Sequence, residues 1–559
     1  MPLPSTPILS SSIALTSSAA GLAALLTYLY YNRPSIPFAF VPLTSKTFTF
    51  KVLNWDATLS LSSSGIVTLT RNISAWGTGP ETHTTHHIFL SPEECQRKLT
   101  RNQSTYEVDR PGNPIVRIDT NFIEANYKCE DDISIDLISS SDLAVLRKGE
   151  EGKGFWEFWG MLRNKLPLNP YSEASKSDDN SENTSEAQEV EMTPNDDLCF
   201  LSVIDGHGGG QTSSVLRKVL HGTLSWGLAG LKEWTSKDIY HKIKETYLAL
   251  DEDIYRAGLS VAQSPSNSSV DTILPTPNPS LLSLIPVAGA TTCTAFIDVR
   301  QQLLYVINIG DSRAVAGWLD EESGQWRVDV LSQDQECGNP AEVKRLQNMH
   351  SPPLSDAVID EGYTPRLLGN LQPSRAFGDD CSKLTRAEKE SLSLAGQINT
   401  LPEESPFTKK PISYDDAPYM DAWPEIVIRN LRNKENPNEK LEFLIIATDG
   451  LWDKISSEEA ILLLAAHSSE SAESRIAKTD LPKIFPQIKS EGERPYPAEE
   501  LPGTTAENST GHWVLEDDNA ATHLIRNGLD GHGDEEVHRM ILSLTGSGAR
   551  EVRDDTSVM

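Results

Sequence analysis

Two stretches limit what this chain can become. Leu198 to Ile204 and Leu441 to Ala447 are strongly apolar, and each runs directly or almost directly into Asp-Gly, at Asp205-Gly206 and Asp449-Gly450. Short apolar runs rich in β-branched residues read as buried strands. Each therefore places a carboxylate at the mouth of a strand. The glycine beside it has no Cβ, which leaves room for a cation and its ligand to approach the main chain. One Asp-Gly by itself is ordinary turn sequence. Here it recurs, with Asp554-Asp555 at a third strand end and Glu130-Asp131 after a further strand-like stretch. Converging carboxylates with water are the hard oxygen donors that Mg²⁺ or Mn²⁺ requires. A pair of such ions can activate a water and neutralise a phosphoryl group under in-line attack.

The charge balance narrows the partners. A net charge of -31 over 559 residues argues against nucleic acid, whose phosphates it would repel. Most of that acidic excess reads as solvated surface. The cysteines Cys95, Cys129, Cys199, Cys293, Cys337 and Cys381 are scattered and form no C-x-x-C pair. Reduced, mostly buried thiols are expected, not a zinc site or a disulfide framework. There is no Gly-x-x-x-x-Gly-Lys-Ser/Thr loop and no Gly-x-Ser-x-Gly elbow, so neither that type of nucleotide site nor a serine hydrolase is supported.

The first 45 residues stand apart. Ile13 to Tyr31 is apolar or small throughout, about the length of one membrane span, with Tyr28, Tyr30, Tyr31 and Arg33 resembling an interfacial belt. A retained anchor is the expectation and a cleaved leader the alternative. Residues 46–559 read as one domain. Thr47 to Leu69 suggests a hairpin turning near Ser62-Ser63-Ser64-Gly65, and Ser91-Pro92-Glu93-Glu94 opens a short helix. His83, His86 and His87 read as an exposed loop, with a metal site as the less favoured alternative. Val116 to Asp132 is strand-like and ends in acids. Tyr171 to Asp197 has the composition of a disordered insert, and Ser264 to Ser280, Leu384 to Lys410 and Ser468 to Thr510 read as polar loops. Gly210 to Ala257 has helical spacing. Ala288 to Asp298, Gln302 to Ala316 and Trp326 to Leu331 are strands, with a tight turn at Gly310-Asp311. Helices follow at Ser456 or Ser457, at Ala520 to Asn527 and at Glu535 to Leu544. Strands and helices in runs, not in strict alternation, predict an α+β fold with antiparallel sheets.

Seven motifs in order carry a resemblance. They are Glu130-Asp131; Asp205-Gly206-His207-Gly208-Gly209; Gly289-Ala290-Thr291-Thr292; Gly310-Asp311-Ser312-Arg313-Ala314; Ser374 to Asp379; Asp449-Gly450-Leu451-Trp452-Asp453; and Arg553-Asp554-Asp555. Together they resemble the metal-dependent protein phosphatase 2C family, from about Val116 to the last residue. Thr120 to Asn126, Arg366 to Asp379, and Ala417-Pro418-Tyr419 before Pro424-Glu425 are similar to its mitochondrial pyruvate dehydrogenase phosphatase branch. The resemblance implies a β-sandwich of two antiparallel sheets flanked by helix pairs. It implies hydrolysis of phosphoserine and phosphothreonine by a metal-activated water, with phosphorylated pyruvate dehydrogenase as a suspected substrate. It further implies two Mg²⁺ or Mn²⁺ ions: Asp205 bridging them, the Gly206 carbonyl on one, Asp449 and Asp554 on the other. Glu130 and Asp131 would act through bound waters, and Asp334, Asp449 and Asp453 would form a weaker third site. His207 is either the general acid for the leaving alkoxide or a hydrogen-bond partner within the site. Arg313 and Arg375 are expected to pair with nearby acids, and Thr291 and Thr292 to pack.

Two departures from the family pattern stand out. Asn126 occupies the position, four residues before Glu130, where many members carry a phosphate-gripping arginine. The last strand, carrying Asp554, is expected to be short. A monomer in mitochondria, held at the inner membrane by the N-terminal span, is the expected setting, with another intracellular membrane as the alternative. The competing function is a catalytically silent, membrane-anchored regulator of the same fold, ranked lower because Asp205, Asp449 and Asp554 are all present.

Overall fold

Leu198–His207 sends its side chains alternately into two cores. Cys199, Leu201 and Val203 join one apolar cluster, whereas Leu198, Phe200 and Ile204 join another. Neither face meets water, so the run shows no polar alternation. The computed structural model describes residues 46–52, 55–74, 80–126, 128–139, 142–144, 146, 197–263, 285–350, 357–359, 365–396, 417–469, 474–488, 511–529, 534–550 and 552–559. All lie within one compact unit, Ser45–Met559.

Three larger sheets organise the strands. β1–β4 (Lys46–Val52, Trp55–Leu61, Ile66–Ser74 and Pro80–Ile88) form an antiparallel meander. β5 (Ser104–Glu107), β6 (Arg117–Ile123), β11 (Arg313–Asp320), β12 (Gln325–Val330), β17 (Glu439–Ala447) and β20 (Thr556–Val558) make one six-stranded antiparallel sheet, in the order β12-β11-β17-β20-β6-β5. The other runs β16-β10-β9-β8-β7, with β15 also on β9. Its members are β7 (Asp132–Ile138), β8 (Leu198–His207), β9 (Gly289–Asp298), β10 (Leu303–Ile309), β15 (Phe377–Gly378) and β16 (Glu425–Asn430). Two short hairpins, β13–β14 (Val358–Ile359 and Arg366–Leu367) and β18–β19 (Arg475–Ala477 and His512–Val514), complete the set.

The two six-stranded sheets pack face to face. Between them lie Ile133, Ile135, Leu201, Val203, Cys293 and Val306 from one sheet and Ala314, Ala316, Trp318 and Ile446 from the other. Helices α2 (Gln211–Ala229) and α3 (Ser236–Gln263) cover the outer face of the first sheet, where Leu216, Leu220, Ile243 and Tyr247 meet Phe200 and Phe296. Helices α4 (Ser457–His467) and α5 (Ala520–Leu529) cover the second, where Ile461, Leu524 and Ile525 meet Val315 and Ile445. This is the expected α+β sandwich, layered because each sheet has two apolar faces to bury. Helix α1 (Pro92–Thr100) starts at Ser91 with the full capping box, closed by Glu94.

Several expectations are revised. His83, His86 and His87 sit on β4, paired residue by residue with β3, and not in a loop. The Thr-His alternation there suits a strand with one wet face. Part of the expected polar insert after Leu384 is the helix Arg386–Gly396. Its start is written as Thr385-x-x-Glu388: the Thr385 N–H donates to Glu388 Oε2 at 2.9 Å, and Glu388 N–H reaches Thr385 Oγ1 at 3.5 Å. The stretch after Ser468 contains β18 and a short helix, Leu481–Ile484. Ile13 to Tyr31, the first 45 residues as a whole, residues 171–196 and Ser264 to Ser280 lie outside the described residues. Among the described residues no helix is long and apolar enough to cross a membrane. The six cysteines are free, and Cys95, Cys199, Cys293 and Cys337 are buried.

Candidate metal centre

The parity that buries Cys199, Leu201 and Val203 between the sheets also points Asp205 toward the opposing sheet. On that side β17 ends, and Asp449 opens the helical turn Asp449–Trp452. The turn Gly310-Asp311 joins β10 of one sheet to β11 of the other, which brings a third carboxylate to the same end of the sandwich. One carboxylate oxygen from each of Asp205, Asp311 and Asp449 lies within 4.8 Å of the others. Asp311 is the residue that sequence reasoning missed. Its signal is present in the sequence, since Ile309-Gly310-Asp311 closes an apolar strand as Asp205-Gly206 does and belongs to one of the seven motifs, but the sequence reading gives it a turn and no ligand role.

The charges in this group oppose one another. Burial pushes the Asp205 carboxyl well above the usual range, and Asp131, Asp449 and Asp311 add to the shift. Burial and then Asp453 push Asp449 up to about 7. Asp311 is raised by burial and by Asp449. Asp131 is raised by burial and by Asp555, against hydrogen bonds from Ser557 and Thr448. Such a group is destabilising without a cation to share. Asp449 Oδ1, moreover, is buried and finds no hydrogen-bond partner among the described residues. An orphaned carboxylate oxygen in a cluster of hard donors fits a divalent ion.

The other expected site residues surround this group. Thr448 Oγ1 donates to Asp131 Oδ2 at 3.0 Å, which ties β7 to the end of β17. Glu130 lies one residue earlier, its carboxyl raised by burial and by Asp555. Its carbonyl accepts from Ser213 Oγ at 2.6 Å and packs on Gly206, where a Cβ would collide with it. Gly206 is therefore required for this close approach. Arg313 forks onto Asp334, from Nε at 2.9 Å and Nη2 at 2.5 Å, and its charge also reaches Asp453. Arg375 forks onto Glu342 at 2.9 and 2.5 Å. Asp554 is not one of the three clustered carboxylates. It is ion-paired with Arg550, and its Oδ1 accepts from Asp555 N–H at 2.7 Å. Its strand, β20, is three residues long, as expected.

His207 is held by a specific partner, Asp379. Its Nε2 lies 2.8 Å from Asp379 Oδ2, and Gly289 leaves the space for this pair, since a Cβ there would strike both side chains. Asp379 adopts a left-handed backbone, φ 53° and ψ 55°, to present that carboxylate. Burial, the largest single effect, pushes the imidazole pKa down, but Asp379, Glu130 and Asp449 together outweigh it, so the net shift is upward. A raised imidazole pKa favours the protonated form that a proton donor needs.

A protein-family model described as Protein phosphatase 2C matches residues 173–482, more than half of the chain. The chain belongs to the protein phosphatase 2C family. The mitochondrial pyruvate dehydrogenase (acetyl-transferring) phosphatase 1 of Saccharomyces cerevisiae is 26% identical over 99% of this chain and 85% of its own length. A protein phosphatase 2C homologue of Schizosaccharomyces pombe is 28% identical over 83% of each chain. The mitochondrial pyruvate dehydrogenase phosphatase 2 of Homo sapiens is 34% identical over 49% of this chain and 47% of its own. As a member of this metal-dependent family the protein is a serine/threonine phosphatase. Asp205 and Asp449 of its family motifs lie in the acidic cluster, and the inter-sheet position of that cluster follows from the sandwich itself.

Proposed function

We propose that the protein removes phosphate from phosphoserine or phosphothreonine in a mitochondrial protein, with phosphorylated pyruvate dehydrogenase as the substrate. The observation that carries the chemistry is the convergence of Asp205, Asp311 and Asp449 at one end of the sandwich. The choice of substrate and compartment rests on the relatives, several of which are named mitochondrial pyruvate dehydrogenase phosphatases. Residues 46–559 act as the catalytic unit, and residues 1–45 as a targeting segment. The membrane span expected at Ile13 to Tyr31 has no support from the described residues and is not part of the proposal.

Two Mg²⁺ or Mn²⁺ ions, with a third more weakly held, are assigned to this centre; when bound they supply Lewis-acid polarisation of phosphoryl oxygens and lower the pKa of water. Asp205, the Gly206 carbonyl, Asp449 and Asp554 would hold the pair. Asp311 belongs with them, on the distance it keeps to Asp205 and Asp449. Glu130 and Asp131 would orient waters, and Asp334, Asp449 and Asp453 would hold the third ion. His207, its Nε2 taken up by Asp379, has Nδ1 left to deliver a proton to the leaving alkoxide. The Asp379 carboxylate stabilises the imidazolium and fixes its orientation.

The test is hydrolysis of phosphopeptides by the purified chain with Mn²⁺ or Mg²⁺, beside an Asp205→Asn variant. Metal-dependent turnover, lost in the variant by on the order of 10²-fold or more, is expected. An inert wild-type protein would leave the silent-regulator reading in its place. A phosphoproteome comparison of mitochondria carrying either form tests the substrate; enrichment of proteins other than pyruvate dehydrogenase would overturn that assignment.

A further inference from the structure

The position where many family members grip the phosphate with an arginine holds Asn126 here, which leaves a phosphoryl group over the acidic centre without that side-chain cation. Asn126 cannot serve even indirectly, because its Nδ2 is committed to Asp555 Oδ2 at 2.9 Å. The neighbouring cations among the described residues are largely committed too. Arg313 is 6% exposed and bound to Asp334 and Ser457. Arg553 donates from Nη1 to the Glu124 carbonyl and leaves Nε and Nη2 without partners among the described residues, but at 4% exposure it is closed to a substrate. Lys454 Nζ donates to the Val552 carbonyl at 3.2 Å, and Arg366 Nη1 to the Asn370 carbonyl at 3.0 Å.

Arg550 differs in placement and, unlike Arg313, Arg366 and Arg553, is exposed. It ends the helical turn Ser547–Arg550, four residues before Asp554, and pairs with that carboxylate while 46% of its side chain remains exposed. The pair with Asp554 places a partly exposed guanidinium beside the acids, and its charge reaches Glu130, Asp205, Asp449 and Asp453. The turn is fixed in place. Gly548 packs so closely on His87 of β4 that a Cβ would collide with the ring, and Arg550 N–H donates to the Gly546 carbonyl at 3.2 Å. We propose that Arg550 is the phosphate-binding cation of this enzyme, gripping the substrate's phosphoryl oxygens from the rim of the acidic centre. A guanidinium suits that task because its planar fork donates two parallel hydrogen bonds to a phosphate. The proposal rests on the phosphatase reading above.

The experiment compares wild type, Arg550→Ala and Arg550→Lys as full chains. Three quantities are read: phosphopeptide KM and kcat, calorimetric affinity for inorganic phosphate with Mn²⁺ present, and calorimetric affinity for Mn²⁺ alone. Arg550→Ala is expected to weaken phosphate binding and raise KM by on the order of tenfold or more, as for loss of a hydrogen bond to a charged group. Mn²⁺ affinity should stay within a few-fold, and Arg550→Lys should recover part of the loss. Unchanged KM and phosphate affinity in Arg550→Ala overturn the proposal. So does a defect that vanishes at saturating Mn²⁺, which would make Arg550 only a support for Asp554. An inactive wild type sinks the phosphatase reading, while the phosphate titrations still decide the role of Arg550.

Discussion

The side chain of Asn126 donates from Nδ2 to Asp555 Oδ2 at 2.9 Å, and Asp555 is the hub of the loop that leads to Glu130 and Asp131. Its Oδ1 accepts the main-chain N–H of Ala125 at 2.6 Å and of Asn126 at 3.0 Å, and its Oδ2 accepts the N–H of Glu130 at 2.8 Å. The second acid of Asp554-Asp555 is therefore a clamp between β20 and the β6–β7 connection, not a metal ligand. Asp555→Ala strands three main-chain donors and should cost about 3 kcal/mol or more in urea unfolding. Asn126→Ala removes one of the four bonds and should cost about 1 kcal/mol. Equal, negligible losses in both variants would show that the clamp does not hold the loop.

The acidic cluster should make the metal-free protein less stable at neutral pH than in mild acid. Asp449, pushed up to about 7 by burial and Asp453, holds its proton more tightly folded than unfolded. Its contribution is fully present below the unfolded value near 3.8 and is lost as pH rises through about 7. Asp449→Asn removes that charge. With chelator at pH 7 the variant should match or exceed the wild-type Tm, yet gain much less Tm on addition of Mn²⁺. A variant that is both less stable without metal and equally stabilised by it would exclude Asp449 from the centre.

Acidification should act through two histidines distant from that centre. Burial, and then His467, hold His523 down to about 4; burial, and then Arg526, do the same for His538. Both are neutral in the fold and protonate near 6.5 when unfolded. Their contribution is fully present above about 6.5 and lost as pH falls through about 4, by on the order of 2–3 kcal/mol per histidine. The double variant His523→Gln, His538→Gln should flatten the dependence of stability on pH across that window. An unaltered slope relative to wild type would assign the acid sensitivity to carboxylates alone.

A serine, a histidine and an aspartate meet inside the helix-covered face of the sandwich without forming a catalytic triad. His221 Nδ1 lies 2.7 Å from Asp136 Oδ2 and its Nε2 lies 2.7 Å from Ser202 Oγ, which in turn lies 2.6 Å from Thr294 Oγ1. All four residues are buried, with no path for a substrate. The arrangement joins α2 to β7, β8 and β9 as a polar staple. Ser202 should resist fluorophosphonate labelling in the native protein, and Ser202→Ala should lower stability by about 1 kcal/mol while phosphatase activity persists. Labelling of Ser202 under native conditions would contradict this.

The fold and the heart of the centre were legible because they are written in local pattern. Strands buried on both faces appear as unbroken apolar runs, and β8 and β17 could be read directly, with their terminal aspartates. Cap chemistry announced the helix at Ser91-x-x-Glu94 and the one after Ser456 or Ser457; the structure gives both a capping box and assigns the second to Ser456 with Glu459. Thr385-x-x-Glu388 carried the same signal and was overlooked amid polar sequence. The β4 histidines were misread because threonine-histidine alternation has no apolar face to mark a strand; the pairing with β3 supplies what the side chains do not. Asp311 escaped for a related reason, since nothing local separates an acidic turn from an acidic ligand.

Sequence alone determined an α+β fold with antiparallel sheets and the acids at its strand ends, and the resemblance the seven motifs carry supplied the sandwich and the family. The first two were readable because burial on two faces and glycine beside aspartate are constraints that adjacent residues impose on each other. The tertiary structure decided which acids share a space. It grouped Asp311 with Asp205 and Asp449, set Asp554 against Arg550 and gave Asn126 to Asp555. Those pairings join residues that come from different strands and opposite sheets, and only the packing of the two sheets brings them within reach.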